Sequence, residues 1–162
     1  MISANSTQLQ ICCIYISICN MTNQEQTFKR MLKENALSMT TPRLLIFNLL
    51  NNQIPLTINE IIIKVGETID RVSVYRTINA FENIGIVQRV NLGWKYKIEL
   101  SDMFQDHHHH LICLKCSKIT PIHDQALESY LLNVASLADF QTKNHQIEIQ
   151  GYCKDCKSQA TN

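Results

Sequence analysis

The sequence predicts an α+β chain in two parts: a helical part closed by a two-stranded hairpin, then a smaller part of strands and one helix. Three observations predict it. Apolar residues recur at three- and four-residue steps from Phe28 to Phe81, and strand-like runs follow on either side of Asn91-Leu92-Gly93. Two C-x-x-C pairs, Cys113/Cys116 and Cys153/Cys156, then bracket a further helix and strand.

At 162 residues, 45% hydrophobic and 18% charged, the chain is long enough for one domain or two small ones with a real core. The net charge of +1 conceals a split. Residues 21–100 carry 10 Lys/Arg against 7 Asp/Glu and residues 101–162 carry 5 against 7, a split too small to establish nucleic-acid binding but one that marks the first part as the half suited to it. The apolar run Leu9–Cys19 lacks a cationic start and a small-residue cleavage site and is too short to span a bilayer, which argues against membrane association. Paired C-x-x-C motifs without an export signal point to metal ligation in a reducing cytoplasm. Cys12, Cys13 and Cys19 stand apart: residues 1–20 read as an over-extended start ahead of Met21, the alternative being a genuine packed or partner-binding N-terminal extension. The expected domains are 21–100 and 101–162.

In chain order, Thr27–Glu34 has helical spacing at Phe28, Met31 and Leu32. Thr41-Pro42 opens a second helix, filled by Leu44, Leu45, Ile46, Phe47, Leu49 and Leu50 and expected to be largely buried. Thr57-x-x-Glu60 has capping-box form ahead of Ile61–Val65, with Gly66 as the stop. A fourth helix carries an expected apolar stripe of Ile69, Val72, Tyr75, Ile78 and Phe81 or Glu82, with Arg71, Ser73 and Arg76 off it and Gly85 closing the segment. Strands over Ile86–Val90 and Trp94–Glu99 complete a winged helix-turn-helix plan. In such folds one helix enters the major groove, so Arg71, Ser73, Tyr75 and Arg76 are the candidate DNA-contacting residues. After a polar boundary at Ser101–Asp106, strands are expected at Leu111–Leu114 and Lys118–His123, a helix at Ala126–Leu137 with Leu127, Leu131, Val134 and Leu137 or Ala138 inward, and a last strand at His145–Gln150.

The ligand residues divide into three sets. Cys113, Cys116, Cys153 and Cys156 supply four thiolates, which close a tetrahedral structural zinc site with no open position. If residues 107–110 are extended, alternation sends His107 and His109 to one face and His108 and His110 to the other. His107 and His109 can then meet Glu128 and His145, a complete nitrogen-rich tetrahedral set, while His108 and His110 can meet Glu99 at the end of the wing. His123 reads as a surface histidine.

The succession Met39-Thr-Thr-Pro-Arg43, Val74-Tyr-Arg-Thr-Ile78, Gly85-Ile-Val87, His107-His-His-His-Leu-Ile-Cys-Leu-Lys-Cys116 and the late C-x-x-C resembles the ferric uptake regulator family of bacterial metal-dependent repressors. The resemblance covers Thr27 to Cys156. It implies an N-terminal winged helix and a C-terminal α/β dimerisation domain. It also implies homodimers that, loaded with zinc or ferrous iron, bind palindromic double-stranded DNA operators near metal-uptake genes. By the same resemblance the four cysteines match a structural zinc site, Glu99, His108 and His110 a hinge sensory site, and His107, His109, Glu128 and His145 a second site in the dimerisation domain. Tyr75 and Arg76 match the recognition helix.

Two departures stand out. Relatives usually carry a histidine in the loop before the third helix, where this chain has Gln53-Ile-Pro-Leu56, and often a carboxylate after the knuckle, where it has Pro121. The hinge site is thus expected to be short of ligands. His109 stands where many relatives have Asp, which enriches the other site in nitrogen, and Glu99 in place of Asp argues against the peroxide-sensing branch. A zinc hydrolase is the weaker rival, since no His-Glu-x-x-His helix is present. A zinc-stabilised protein-interaction module without metal-gated DNA binding is the stronger one.

Overall fold

The computed structural model describes residues 23–51 and 54–157, so the expected extension at residues 1–20 lies outside the described residues, as does Gln53. The chain divides into two compact units, one ending at Thr40 and one beginning at Thr41. The first contains helix α1, Asn23–Glu34, which starts earlier than its apolar spacing indicates and buries Phe28, Met31 and Leu32.

The second unit opens with α2, Thr41–Leu50. Only Ile46, Phe47 and Leu50 are buried on it, while Leu44 and Leu45 are exposed, so α2 buries one stripe rather than its whole surface. Helix α3, Ile58–Val65, begins as the sequence indicates: the Thr57 side chain accepts from the Glu60 amide and the Glu60 carboxylate accepts from the Thr57 amide. That backbone bond holds the Glu60 carboxyl below its ordinary range. Gly66, at φ 57°, ends the helix.

Helix α4, Arg71–Asn83, is capped by Asp70, which accepts from the Ser73 amide at 2.9 Å and from its hydroxyl at 2.5 Å. Its buried face is Val74, Thr77, Ile78 and Phe81. The expected stripe was rotated: Val72 is 56% exposed and Tyr75 43%, because the cap starts the helix at Arg71 and turns Val74 inward. Strands β1, Val87–Leu92, and β2, Lys95–Leu100, pair antiparallel from Val87↔Leu100 to Leu92↔Lys95. The turn is therefore Gly93-Trp94, later than the Asn91-Leu92-Gly93 expected, and Gly93 at φ 69° takes the position where a side chain would be strained. Leu56 adds a short bridge to Ile98.

Strand β3, His109–Cys113, is the centre of a second sheet, antiparallel to β4, Ile119–Ile122, and parallel to β5, Glu148–Gly151. Each strand is a little shorter than, or displaced from, its expected range. Helix α5, Gln125–Leu137, crosses between β4 and β5, capped by Asp124, which accepts from the amides of Ala126 and Leu127. Nothing on α5 is fully buried, and Val134 and Leu137, expected inward, are 47% and 81% exposed. The periodicity is real, but the surface it faces is not supplied by the described residues of this chain. A short helix α6, Lys154–Lys157, ends the described chain, and among the described residues no helix is long and apolar enough to cross a membrane.

Candidate metal centres

Three sets of side chains converge so that the candidate ligand atoms of each lie within 4.8 Å of one another. They are the three sets expected from strand alternation and cysteine spacing.

Cys113 ends β3, Cys116 lies in the tight turn behind it, and Cys153 and Cys156 flank the start of α6. The turn closes through Ser117, at φ 58°, whose amide donates to the Cys113 carbonyl at 2.9 Å. A tetrahedral zinc–sulfur site with bonds of about 2.3 Å requires sulfurs about 3.8 Å apart. Cys116 Sγ and Cys153 Sγ are 3.7 Å apart. The Cys153 amide donates to Cys113 Sγ at 3.4 Å, and this, with the Cys116 amide, draws the Cys113 thiol down to about 6. Cys156 is pushed the other way, to about 12, by burial and by the thiols around it. One ready thiolate beside a thiol that resists ionisation is what crowding four sulfurs together produces, and the donor set fits a divalent zinc ion that stabilises all four as thiolates.

His107, His109, Glu128 and His145 form the second set. Glu128, in the first turn of α5, is its centre: Oε1 lies 2.7 Å from His109 Nε2 and 3.5 Å from His107 Nε2, and Oε2 lies 2.8 Å from His145 Nε2. His107 Nε2 and His145 Nε2 are 3.1 Å apart. Bonds of about 2.0–2.1 Å to a tetrahedral ion place donors about 3.3 Å apart, so these spacings fit. His109 Nε2 is buried and, despite its closeness to Glu128, makes no hydrogen bond, as expected of a nitrogen aimed at an ion rather than at the carboxylate. Burial, opposed by the Glu128 charge, lowers the His109 pKa and keeps the ring neutral, the form a ligand needs. Asp102 Oδ2, 2.5 Å from His107 Nδ1, orients that ring from behind; its place in the loop before the histidines gave no spacing signal. The Ile147 amide donates to His109 Nδ1 at 3.3 Å and ties the His145 segment to β3.

Glu99, His108 and His110 form the third set, and all three are buried. Glu99 Oε2 lies 3.1 Å from His110 Nε2 and 3.4 Å from His108 Nε2, and its Oε1 accepts from Gln88 Nε2 at 2.8 Å. Gln88, directly opposite Glu99 on β1, is the supporting residue that pattern reading missed; cross-strand register would have found it. His108 Nδ1 bonds to the Asp106 carbonyl at 2.9 Å, which fixes the tautomer with Nε2 free to ligate. Glu99 is only 2% exposed, and a carboxylate that deep, facing two imidazoles, fits a shared cation better than solvent.

Of the DNA-contact candidates, Arg71, Tyr75 and Arg76 are exposed on α4, whereas the Ser73 hydroxyl is occupied by Asp70. Arg89 on β1 is bound by Glu82 and covers the Tyr96 ring at 4.2 Å. Two further bonds join the sheets: Glu148 Oε1 accepts from the Asn91 amide at 2.7 Å, and Gln146 Nε2 donates to the Arg89 carbonyl at 3.2 Å.

A family model described as the ferric uptake regulator family matches residues 34–150. The ferric uptake regulation protein of Yersinia pestis is 36% identical over 129 residues, covering 76% of this chain and 86% of that one. Among solved structures, the ferric uptake regulator of Vibrio cholerae is similar with a TM-score of 0.65 at 32% identity, over 77% of this chain and 98% of that one. The regulator of Francisella tularensis, solved with iron, gives a TM-score of 0.64 at 27% identity, over 75% and 95%.

Proposed function

The chain belongs to the ferric uptake regulator family, and from that premise we propose that it is a repressor of metal-uptake genes whose homodimer binds a palindromic DNA operator when divalent metal fills its histidine sites. Members of the family are metal-dependent transcription regulators, not enzymes. The observation that carries the reading is the burial of Glu99 with His108 and His110, because these residues bridge the two sheets. Glu99 lies one residue before the end of the wing strand β2, His110 belongs to β3 and His108 immediately precedes that strand, so their arrangement sets the angle between the DNA-contacting and ligand-bearing parts.

A bound metal supplies positive charge and a fixed coordination geometry at each set. Without it, among the described residues the Glu99 carboxylate has two imidazoles and the Gln88 amide for compensation, so the junction is stabilised weakly. With it, β2 and β3 are drawn together. The set of His107, His109, Glu128 and His145 acts through a second route: His145 precedes Gln146 and Glu148, whose bonds to β1 hold the wing. Coupling of about 1–3 kcal/mol per site gives a graded switch. Zinc fits the cysteine set. Zinc or ferrous iron serves the other two, with three nitrogens favouring zinc around Glu128 and the iron bound by the Francisella relative supporting iron.

Arg71, Tyr75 and Arg76 on the outer face of α4 supply phosphate and base contacts. The uncovered apolar faces of α5 and the second sheet, including Leu132, Val134 and Leu137, are the surface for a second copy, which gives the two-fold arrangement a palindrome requires. An operator-binding repressor works in the cytoplasm. The test is retention of DNA selected from a random-sequence pool, measured with chelator, zinc and anaerobic ferrous iron. Metal raising affinity supports the reading; tight selection in chelator that metal leaves unchanged overturns it.

A further inference from the structure

We propose that His123 is a fourth protein ligand of the hinge site, beside Glu99, His108 and His110; the assignment rests on the reading of that set as a metal site. Three protein groups leave a tetrahedral ion one donor short. Register shows where a fourth can come from. β3 and β4 pair antiparallel with His110↔Pro121 and His109↔Ile122, so one further step sets His108 opposite His123. Residues opposite one another in such a ladder project from the same face. His123 therefore shares the face of His108 and His110, the face that meets Glu99.

Pro121, opposite His110, has no donor atom to offer. His123, two residues along, has two nitrogens, and its ring centroid lies 5.6 Å from that of His108 with the planes tilted by 34°. The two rings line a cleft of about 100 Å³ together with Gln105, Asp106 and Pro121. His108 cannot turn away to leave it, because its Nδ1 is held by the Asp106 carbonyl. As placed, the His123 nitrogens lie outside the group of ligand atoms within 4.8 Å of one another, but the side chain is exposed and therefore free to change rotamer toward His108. The ligand at this site thus comes from one register step further down β4, and the site closes at its solvent-facing rim.

The test is cobalt(II) titration of full-length protein with zinc retained in the cysteine site, in a His107→Ala/His145→Ala background that silences the other histidine set. His123→Ala is expected to weaken hinge binding by about 10–100-fold. It should also lower and shift the visible ligand-field band, as water replaces an imidazole. Stoichiometric zinc in the variant verifies its fold. Unchanged affinity and spectrum in His123→Ala, with binding abolished in His110→Ala, overturns the assignment and leaves the hinge site standing. If His110→Ala also binds cobalt unchanged, the hinge reading fails and this assignment with it.

Discussion

Replacing Glu148 with alanine removes the link between the His145 segment and the wing while sparing every proposed ligand. Glu148 lies three residues beyond His145, and its carboxylate accepts from the Asn91 amide at 2.7 Å, near the end of β1. A bond from a backbone amide to a charged acceptor is among the stronger kind, but this one is solvent-accessible, so about 1 kcal/mol is the appropriate magnitude. If metal at His107, His109, Glu128 and His145 holds the wing through this bond, the loss falls on the metal-loaded state, and 1 kcal/mol is about fivefold in affinity. Fluorescence anisotropy of labelled DNA, with metal and with chelator, reads both states. The expected outcome is about fivefold weaker binding in metal with little change in chelator, and a further loss in Gln146→Ala/Glu148→Ala, which also removes the bond to the Arg89 carbonyl. An equal loss in both states would show that Glu148 only stabilises the wing, and no loss in either would refute the route.

Arg76→Ala should weaken DNA binding by about tenfold and reduce the salt dependence of binding by about one phosphate contact, because the side chain is exposed on α4; an unchanged salt slope would move the interface elsewhere. Zinc uptake by metal-free protein at neutral pH should release at least the protons of Cys116 and Cys156, whose pKa values are raised. Zinc affinity therefore rises with pH and falls as pH drops, and calorimetry in buffers of different ionisation enthalpy counts the protons. Thr57→Ala should cost about 1 kcal/mol, roughly 2–4 °C in melting temperature, by removing the acceptor for the Glu60 amide.

The features legible in the sequence were those fixed by local chemistry. The Thr57/Glu60 box, the Gly66 stop and the face alternation of His107 to His110 depend on neighbours a few residues apart, and each is present. What escaped depended on distant partners. The α4 stripe was rotated because Asp70 caps the helix and Val74, rather than Tyr75, meets the core. On α5 the apolar period predicts burial, yet Leu137 is exposed, since periodicity gives a face and not what covers it. Gln88 behind Glu99, Asp102 behind His107 and the bond of Glu148 to the wing carry no motif, being placed by register and loop path. His123 is exposed, as expected of a surface histidine, and its nearness to His108 comes from the ladder rather than from spacing along the chain.

The central claim is that the histidine sets, and not the cysteine set, gate DNA binding. It is tested most directly by adding zinc stepwise to metal-free protein while counting bound metal and measuring DNA affinity in the same sample. The account predicts that the first equivalent per chain, held by Cys113, Cys116, Cys153 and Cys156, leaves DNA binding weak, and that affinity rises as the second and third fill. Full DNA affinity at one equivalent, or no rise as the later equivalents bind, would contradict it.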